Sequence, residues 1–408
     1  MSPIDVLLVF LAFYPVVTGA AWMAGGVMFR LTEERPRAVD PPGGLPGGVT
    51  VLVPAYNEEK VIAGCVAALR LVDYPELEIL ILNDGSTDAT VAAARAAAEG
   101  DARITVVDDG VNRGKADRLN EGMRQARHDL VLVTDADTHL HADAVTHLVR
   151  RILRSPRYAA VAGCPRVTNR GSVIATMQML ETASLIGLIR RTHALAGRVG
   201  TVAGVLGLFR RDAVLAVGGY DPKMATEDIE LTWRLLQAGH LTGFAPNALV
   251  GMQVPETLSG IWAQRTRWAR GQGEVLRTHA RIVARPKHAV MWPIALEALL
   301  SYLWVGCILI ATVYAFVRWA VAPEDARFGA MLAWGVGIAV IAMLQIVVAV
   351  LVDLRLDPRL PYACLLLPLY PLAYWTINAL AALTAQTPGL LRGPRDRRVV
   401  WDLPRSDT

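Results

Sequence analysis

Seven short stretches of this chain carry residue types that could do chemistry together. Asp135-Ala136-Asp137 places two carboxylates around one small residue. Such a pair suits Mg2+ or Mn2+, hard cations that prefer oxygen ligands. The ion would bridge phosphate oxygens and neutralise charge developing on a leaving diphosphate. Lys115 follows a glycine within Asn112-Arg113-Gly114-Lys115 and could add a point charge to the same phosphates. Asp84, in Asn83-Asp84-Gly85-Ser86-Thr87-Asp88, and Tyr56, in Pro54-Ala55-Tyr56-Asn57-Glu58, are suited to holding a nucleobase by hydrogen bonding and stacking.

Farther along, Gly200-Thr201-Val202-Ala203-Gly204, Thr226-Glu227-Asp228 and Gln264-Arg265-Thr266-Arg267-Trp268 fall within some 70 residues. A small-residue loop, a carboxylate pair and a Gln-x-x-Arg-Trp cluster make a natural acceptor half. Asp228 precedes an amphipathic helical pattern, which puts it at a helix N-terminus. There the dipole favours its ionised form, as a carboxylate acting as base requires. Each stretch has a plainer reading. Asn-Asp-Gly-Ser is common turn composition, Ser86, Thr87 or Asp228 can simply cap a helix, and an Asp-x-Asp triplet is frequent by chance.

Positioning these loops calls for a particular scaffold. Val49–Val53, Leu77–Leu82, Ile104–Val107 and Leu130–Val133 are short apolar runs. Helical stretches near Glu58–Leu71 and Ala89–Glu99 lie between them. Apolar runs without alternation, spaced by helices, predict a parallel sheet buried on both faces. Ligands of such sheets bind beyond the C-terminal ends of the strands. Polar loops follow three of these strands at once.

Composition adds a second requirement. With 53% hydrophobic residues and a mean hydropathy of +0.35, the chain is too apolar for an ordinary soluble enzyme. The excess sits in Val6–Phe29, Trp292–Val317, Ala330–Val352 and Pro361–Ala385, each near the ~20 residues that cross a bilayer. The organisation expected is an anchor (1–30), a Pro/Gly-rich linker (31–48), a polar domain (49–255), amphipathic interfacial helices (256–290), three further apolar segments (291–385) and a basic tail (386–408). The first apolar stretch has no Lys or Arg before it, whereas Arg30, Arg35 and Arg37 follow. It therefore reads as an uncleaved anchor with the polar domain in the cytoplasm.

Three crossings after a cytoplasmic domain would leave the arginine-rich tail outside, against that same charge rule. Pro361, Pro368 and Pro371 interrupt the last segment, and a cytoplasmic tail is the reading adopted. A net charge of +4 from 41 basic and 37 acidic residues gives no nucleic-acid footprint. Four scattered cysteines indicate neither a zinc site nor a disulfide framework.

In this order and spacing, the motif set from Val49 to Gln272 resembles the processive family 2 glycosyltransferases, which include cellulose, chitin, hyaluronan and poly-N-acetylglucosamine synthases. The resemblance implies a GT-A-type, Rossmann-like α/β domain with a mixed, mostly parallel sheet, beside α-helical transmembrane segments. It also implies a nucleotide-diphospho-sugar donor, an Asp-bound divalent metal and inversion at the anomeric carbon. Carried over residue by residue, Asp228 is the base. Tyr56, Glu58, Asp84, Lys115 and Asp135 bind the donor, and Asp135 and Asp137 hold the metal. Thr201, Gly204, Glu227, Gln264, Arg267 and Trp268 serve the acceptor and diphosphate, with Trp268 stacking on the acceptor sugar.

Single-sugar transferases of the family generally lack Gln-x-x-Arg-Trp, so a polymer product is implied. Pro255-Glu256-Thr257-Leu258, Met291-Trp292-Pro293-Ile294 and Tyr370-Pro371-Leu372-Ala373-Tyr374-Trp375 look most like bacterial poly-β-1,6-N-acetylglucosamine synthases. That likeness suggests UDP-N-acetylglucosamine as donor, a growing polysaccharide as acceptor, the bacterial inner membrane as location, and a small membrane accessory subunit with cyclic di-GMP control. Chitin, hyaluronan or cellulose synthesis, one-sugar transfer to a lipid carrier, and a non-catalytic polysaccharide-binding role are the alternatives. Presence of Asp84, Asp135, Asp137 and Asp228 together argues against the last.

Overall fold

The structure, a computed structural model, describes residues 3–34, 45, 47–282, 285–321, 326–370, 374–396 and 398–399. Eight strands build one sheet: β1 (Val49–Ala55), β2 (Leu77–Asn83), β3 (Ile104–Val107), β4 (Leu130–Val133), β5 (Thr138–Leu140), β6 (Tyr158–Val167), β7 (Gly207–Arg210) and β8 (Leu241–Met252). Their order across the sheet is β3-β2-β1-β4-β7-β6-β8-β5. The first four pair in parallel, with Val51 opposite both Ile79 and Leu132. β7 runs antiparallel to β4 and β6. β6 and β8 are parallel, and β5 is antiparallel to β8. The expected mixed, mostly parallel α/β sheet is therefore present.

All seven residues of β1 are buried, which is why its sequence shows no alternation. Val49, Val51 and Val53 face one core layer with the helix Ile62–Arg70 and the helix Ala144–Ile152. Leu52 faces the other, with Leu119 and Met123 of the helix Lys115–Gln125 and Leu231 and Leu235 of the helix Glu227–Gln237. The sheet is thus clamped by helices that begin at Lys115 and Glu227, two of the expected site residues. Each of these two helices buries its apolar stripe, so its first residue is fixed at the strand ends.

Three of the expected membrane segments are long helices: Pro3–Glu33, Trp292–Val321 and Ala326–Asp353. Their most apolar stretches are only 17%, 17% and 28% buried within the protein. Such exposed apolar surface suits lipid.

The fourth expected segment differs from these three. Among the described residues, Pro361–Ala385 is no single spanning helix. Leu360–Ala363 and Cys364–Leu366 lead into a turn at 367–368, whereas Trp375–Ala381, Ala382–Gln386 and Thr387–Arg392 follow one another as continuous helix. Pro361 opens the first of these helices, where a missing amide donor is tolerated, and Pro368 lies in the turn; Pro371 lies outside the described residues. The pieces pack beside the 21-residue helix Leu258–Thr278, the expected interfacial element. In that packing Gly389 approaches the Arg270 carbonyl so closely that a Cβ would sit 2.4 Å from it.

A further apolar helix was not expected. Val173–Leu195 is long and apolar enough to cross a membrane, yet its most apolar stretch is 71% buried within the protein. It carries Arg191, which is fully buried. Arg191 Nε lies 2.6 Å from Glu34 Oε1 and its Nη1 2.6 Å from Asp353 Oδ1. Arg166 of β6 pairs with Asp353 at 2.8 Å, and Arg355 pairs with Glu34. One ionic cluster therefore joins the end of the first membrane helix, the end of the third and the sheet.

Residues 398–399 of the basic tail touch the α/β domain. Arg398 pairs with Asp117 at 3.1 Å, and the Val399 N–H donates to the Pro222 carbonyl. Of the expected linker, residues 35–44 and 46 lie outside the described residues, as does the tail from 400 onward.

Candidate active site

The loops after β1 and β2 are stitched together. Asn57 adopts a left-handed backbone, φ 54°, which asparagine tolerates better than most side chains. Its Oδ1 accepts from the Thr87 N–H at 2.9 Å, and its own N–H donates to Ser86 Oγ at 3.0 Å. The Glu58 N–H donates to Thr90 Oγ1 at 2.7 Å. Tyr56 and Glu58 are thereby set at the end of β1, beside the β2 loop.

Asp84 is 1% exposed, and its carboxylate is fully engaged. Oδ1 accepts from the Arg113 N–H at 2.8 Å, Oδ2 from the Gly114 N–H at 2.9 Å, and Arg118 Nε lies 3.3 Å from Oδ1. Asp84 thus holds the loop that delivers Lys115. Gly85 makes this possible. With φ +69° it sits where a Cβ would lie 2.6 Å from the Asn112 nitrogen, and backbone cannot give way as a side-chain tip can. Gly85→Ala is expected to misplace the 112–115 loop, raise the KM for donor at least about tenfold and cost roughly 1–3 kcal/mol. Donor titration with thermal melting checks both.

Lys115 stands at the centre. Its ammonium lies 2.6 Å from Asp135 Oδ1 and 3.7 Å from Glu227 Oε1. Burial alone would lower its pKa, but Asp135, Glu227 and Asp228 outweigh that and hold it above the ordinary lysine value. Glu227 is raised above the usual glutamate value. Its burial dominates, Lys115 opposes, and neighbouring Asp228 adds to the rise. Buried Tyr220 faces the same three carboxylates. The Asp-x-Asp turn rests on buried Ala136, and Thr138 Oγ1 donates to the Asp135 carbonyl at 2.6 Å.

Asp135 and Asp137 offer only carboxylate oxygens, a donor set that fits a hard divalent cation. Among the described residues, no group of three or more His, Cys, Asp or Glu is arranged to enclose an ion. Two carboxylates with the remaining positions left to phosphates and water is the usual way such ions are held at phosphate sites.

The loop Gly200–Gly204 closes over this centre. The Gly204 N–H donates to Asp228 Oδ2 at 3.1 Å, and a Cβ at Gly204 would lie 3.0 Å from Lys115 Nζ. Behind it, the Val202 N–H donates to Thr232 Oγ1, whose hydroxyl donates to the Asp228 carbonyl. Gly200 packs on Ile294 at the start of the second membrane helix. Lys115, Asp135, Gly204, Glu227 and Asp228 are therefore brought together as expected. Thr201 lies in the same loop.

The Gln-x-x-Arg-Trp residues sit on Leu258–Thr278, docked beside Asp228 from the other side. A Cβ at Gly271 would lie 2.3 Å from the Thr226 methyl. Buried Glu274 accepts from the Ala225 N–H at 3.0 Å and from Arg270 Nε at 2.7 Å. Arg267 contributes a favourable charge to Glu227. Gln264 Oε1 is buried with no hydrogen-bond partner, an acceptor that a ligand hydroxyl or amide could satisfy. Trp268 is 40% exposed. Sequence reasoning missed Gly271, Glu274, Thr232 and Tyr220. The small residues of Gly271-Gln272-Gly273-Glu274, directly after the Trp, were the available signal for a tight helix contact.

Known proteins agree with this geometry. Residues 46–271 match the family model described as glycosyltransferase like family 2. Poly-beta-1,6-N-acetyl-D-glucosamine synthase of Staphylococcus aureus (strain COL) is 34% identical over 402 residues, 97% of each chain. The synthase of the same name from Staphylococcus epidermidis is 32% identical over 409 residues, again 97% of each. Among solved structures, a mannosyltransferase from Pyrobaculum calidifontis in complex with GDP-Man and Mn2+ aligns over 93% of this chain and 99% of its own. Its TM-score is 0.64 at 23% identity, a likeness of fold. The sheet, the clustered carboxylates and these matches agree: the chain belongs to glycosyltransferase family 2, with a GT-A-type domain.

Proposed function

We propose that the protein is a processive, inverting β-glycosyltransferase of the bacterial inner membrane that polymerises N-acetylglucosamine from UDP-N-acetylglucosamine through 1,6 linkages. The observation that carries this reading is full-length similarity to synthases of that name, 34% identical over 97% of both chains. The intact Lys115, Asp135, Gly204, Glu227 and Asp228 cluster supports it.

In this mechanism the acceptor hydroxyl lies between Trp268 and Asp228. Asp228 takes its proton as the oxygen attacks the anomeric carbon from the face opposite the diphosphate. The bond from that carbon to the phosphate oxygen breaks, the configuration inverts and UDP leaves. Lys115 and Arg267 place positive charge where the diphosphate departs. Asp135 and Asp137 would hold a Mg2+ or Mn2+ ion, which neutralises charge on the leaving group. Asp228 is kept oriented by the Gly204 N–H.

The membrane helices carry the product away in this reading, and a small accessory membrane subunit is proposed on the same likeness. Purified protein given UDP-glucose, UDP-N-acetylglucosamine or UDP-glucuronate with Mg2+ or Mn2+ should release UDP from the second alone, and the product should be a 1,6-linked polymer. A single-sugar lipid product, or preference for another donor, would replace the proposal. With three crossings in all, a compartment-sensitive reporter fused at the C-terminus should report the cytoplasm; a periplasmic signal would overturn that arrangement.

A further inference from the structure

One face of the Trp268 indole is covered from within its own helix. The Arg265 guanidinium carbon lies 4.4 Å from the Trp268 ring centroid, three residues back along the helix, where side chains are neighbours. Arg265 is 7% exposed, and its orientation is set by two other parts of the chain. Its Nη2 reaches Glu181 Oε2 at 2.5 Å and the Tyr374 hydroxyl. That hydroxyl donates to the same glutamate oxygen at 2.6 Å. The guanidinium also lies 5.3 Å from the Tyr374 ring centroid, and Tyr370 stacks on Tyr374 at 5.1 Å with 20° between planes.

A planar cation gripped on one side by a carboxylate and a phenol can hold an aromatic plane on the other. Lysine, a flexible point charge, cannot do this equally well. We propose that Arg265 is the positioning residue of the acceptor platform: fixed by Glu181 and Tyr374, it sets the plane of Trp268 so that the exposed surface of the indole meets the terminal sugar ring. The inference rests on the acceptor role given to Trp268 above. It also explains why Glu181, from the buried Val173–Leu195 helix, and Tyr374, from the broken apolar segment, converge on this motif. Packing of that segment is then felt directly at the sugar-binding surface.

The test uses the full-length protein in detergent or nanodiscs, with Arg265→Lys and Tyr374→Phe, each also combined with Trp268→Phe. One readout needs no substrate. The near-ultraviolet circular dichroism difference between Trp268 and Trp268→Phe proteins reports an immobilised indole. It should be strong in the parent and largely lost in the Arg265→Lys background. The second readout is UDP release against concentration of an added N-acetylglucosamine oligosaccharide primer. The half-saturating primer concentration should rise about tenfold in Arg265→Lys, the scale of a partly desolvated cation–π contact, while kcat falls less than about threefold. Tyr374→Phe should move both readouts in the same direction by less.

Retention of the Trp268 dichroism signal in Arg265→Lys, or an unchanged primer dependence, overturns the proposal. So does an equal loss in kcat and primer affinity, which marks a general packing role. If the parent turns over no UDP-N-acetylglucosamine, the proposed substrate fails instead, and the dichroism arm still judges Arg265.

Discussion

Asp228→Asn should abolish polymer formation and cut UDP release by about 10²–10⁴-fold, the usual contribution of a positioned general base. The substitution is nearly isosteric, so the helix Glu227–Gln237 and the Gly204 contact keep their shape. The amide oxygen can still accept from the Gly204 N–H, which donates to Asp228 Oδ2 at 3.1 Å in the parent. What is lost is the proton acceptor. Binding of UDP, measured calorimetrically, should change little, because Lys115, Asp135 and Asp137 are untouched. Glu227→Gln tests the assignment within the pair. It removes a Lys115 counter-charge at 3.7 Å without removing the base, and should act more on diphosphate handling than on proton transfer. An Asp228→Asn enzyme with activity near the parent, or a Glu227→Gln enzyme that alone is dead, would move the base to Glu227.

The place of Asp228 in the fold was legible in the sequence because turn chemistry and strand ends are local. Val49–Val53 and Leu130–Val133 announce strands, and the residues that follow them must lie at the sheet edge. Glu227 and Asp228 open a helix whose Leu231, Leu235 and Leu236 are buried, so a short pattern fixed their place as well. The second half of the sheet escaped for an equally physical reason. β6 contains Gly163, Pro165 and Arg166, and β8 contains Pro246 and Asn247; the pairing between them is irregular, with shifts near Ala160 and Cys164. No window in either strand keeps one period.

The Val173–Leu195 helix was hidden by Glu181, Arg190 and Arg191, which interrupt its apolar surface. The partners of Arg265 stand 84 and 109 residues away, a separation that motif spacing cannot reveal. Conversely, Pro368 marks the turn that interrupts the last apolar segment, which composition alone counts as one run.

The other large effect is expected at the ionic cluster beneath the sheet. Asp353 is fully buried and is paired with two arginines, accepting a hydrogen bond from Arg166 at 2.8 Å and lying 2.6 Å from the Arg191 guanidinium as an ion pair. Asp353→Asn leaves both guanidinium groups buried around a neutral amide. Removing one partner of a buried ion pair costs about 3–5 kcal/mol, so solubilised protein should lose activity at a temperature lower by at least about 5–10 °C. Arg191→Met should cost less, although Arg191 is the more central residue to the eye. After that change Asp353 keeps Arg166 and Glu34 keeps Arg355, so each buried carboxylate retains a counter-charge. The order of the two variants is therefore the informative result. Asp353 closes the third membrane helix, Glu34 follows the first, and Arg166 lies on β6, the strand next to β7 and one removed from β4, which leads into the Asp-x-Asp turn. Loss of Asp353 should thus loosen the catalytic domain from its membrane helices before it disturbs the site itself, and polymer length should fall more than the initial rate of UDP release. Parent-like thermal inactivation of Asp353→Asn, or a larger loss in Arg191→Met, would show that the cluster does not bind the two parts together.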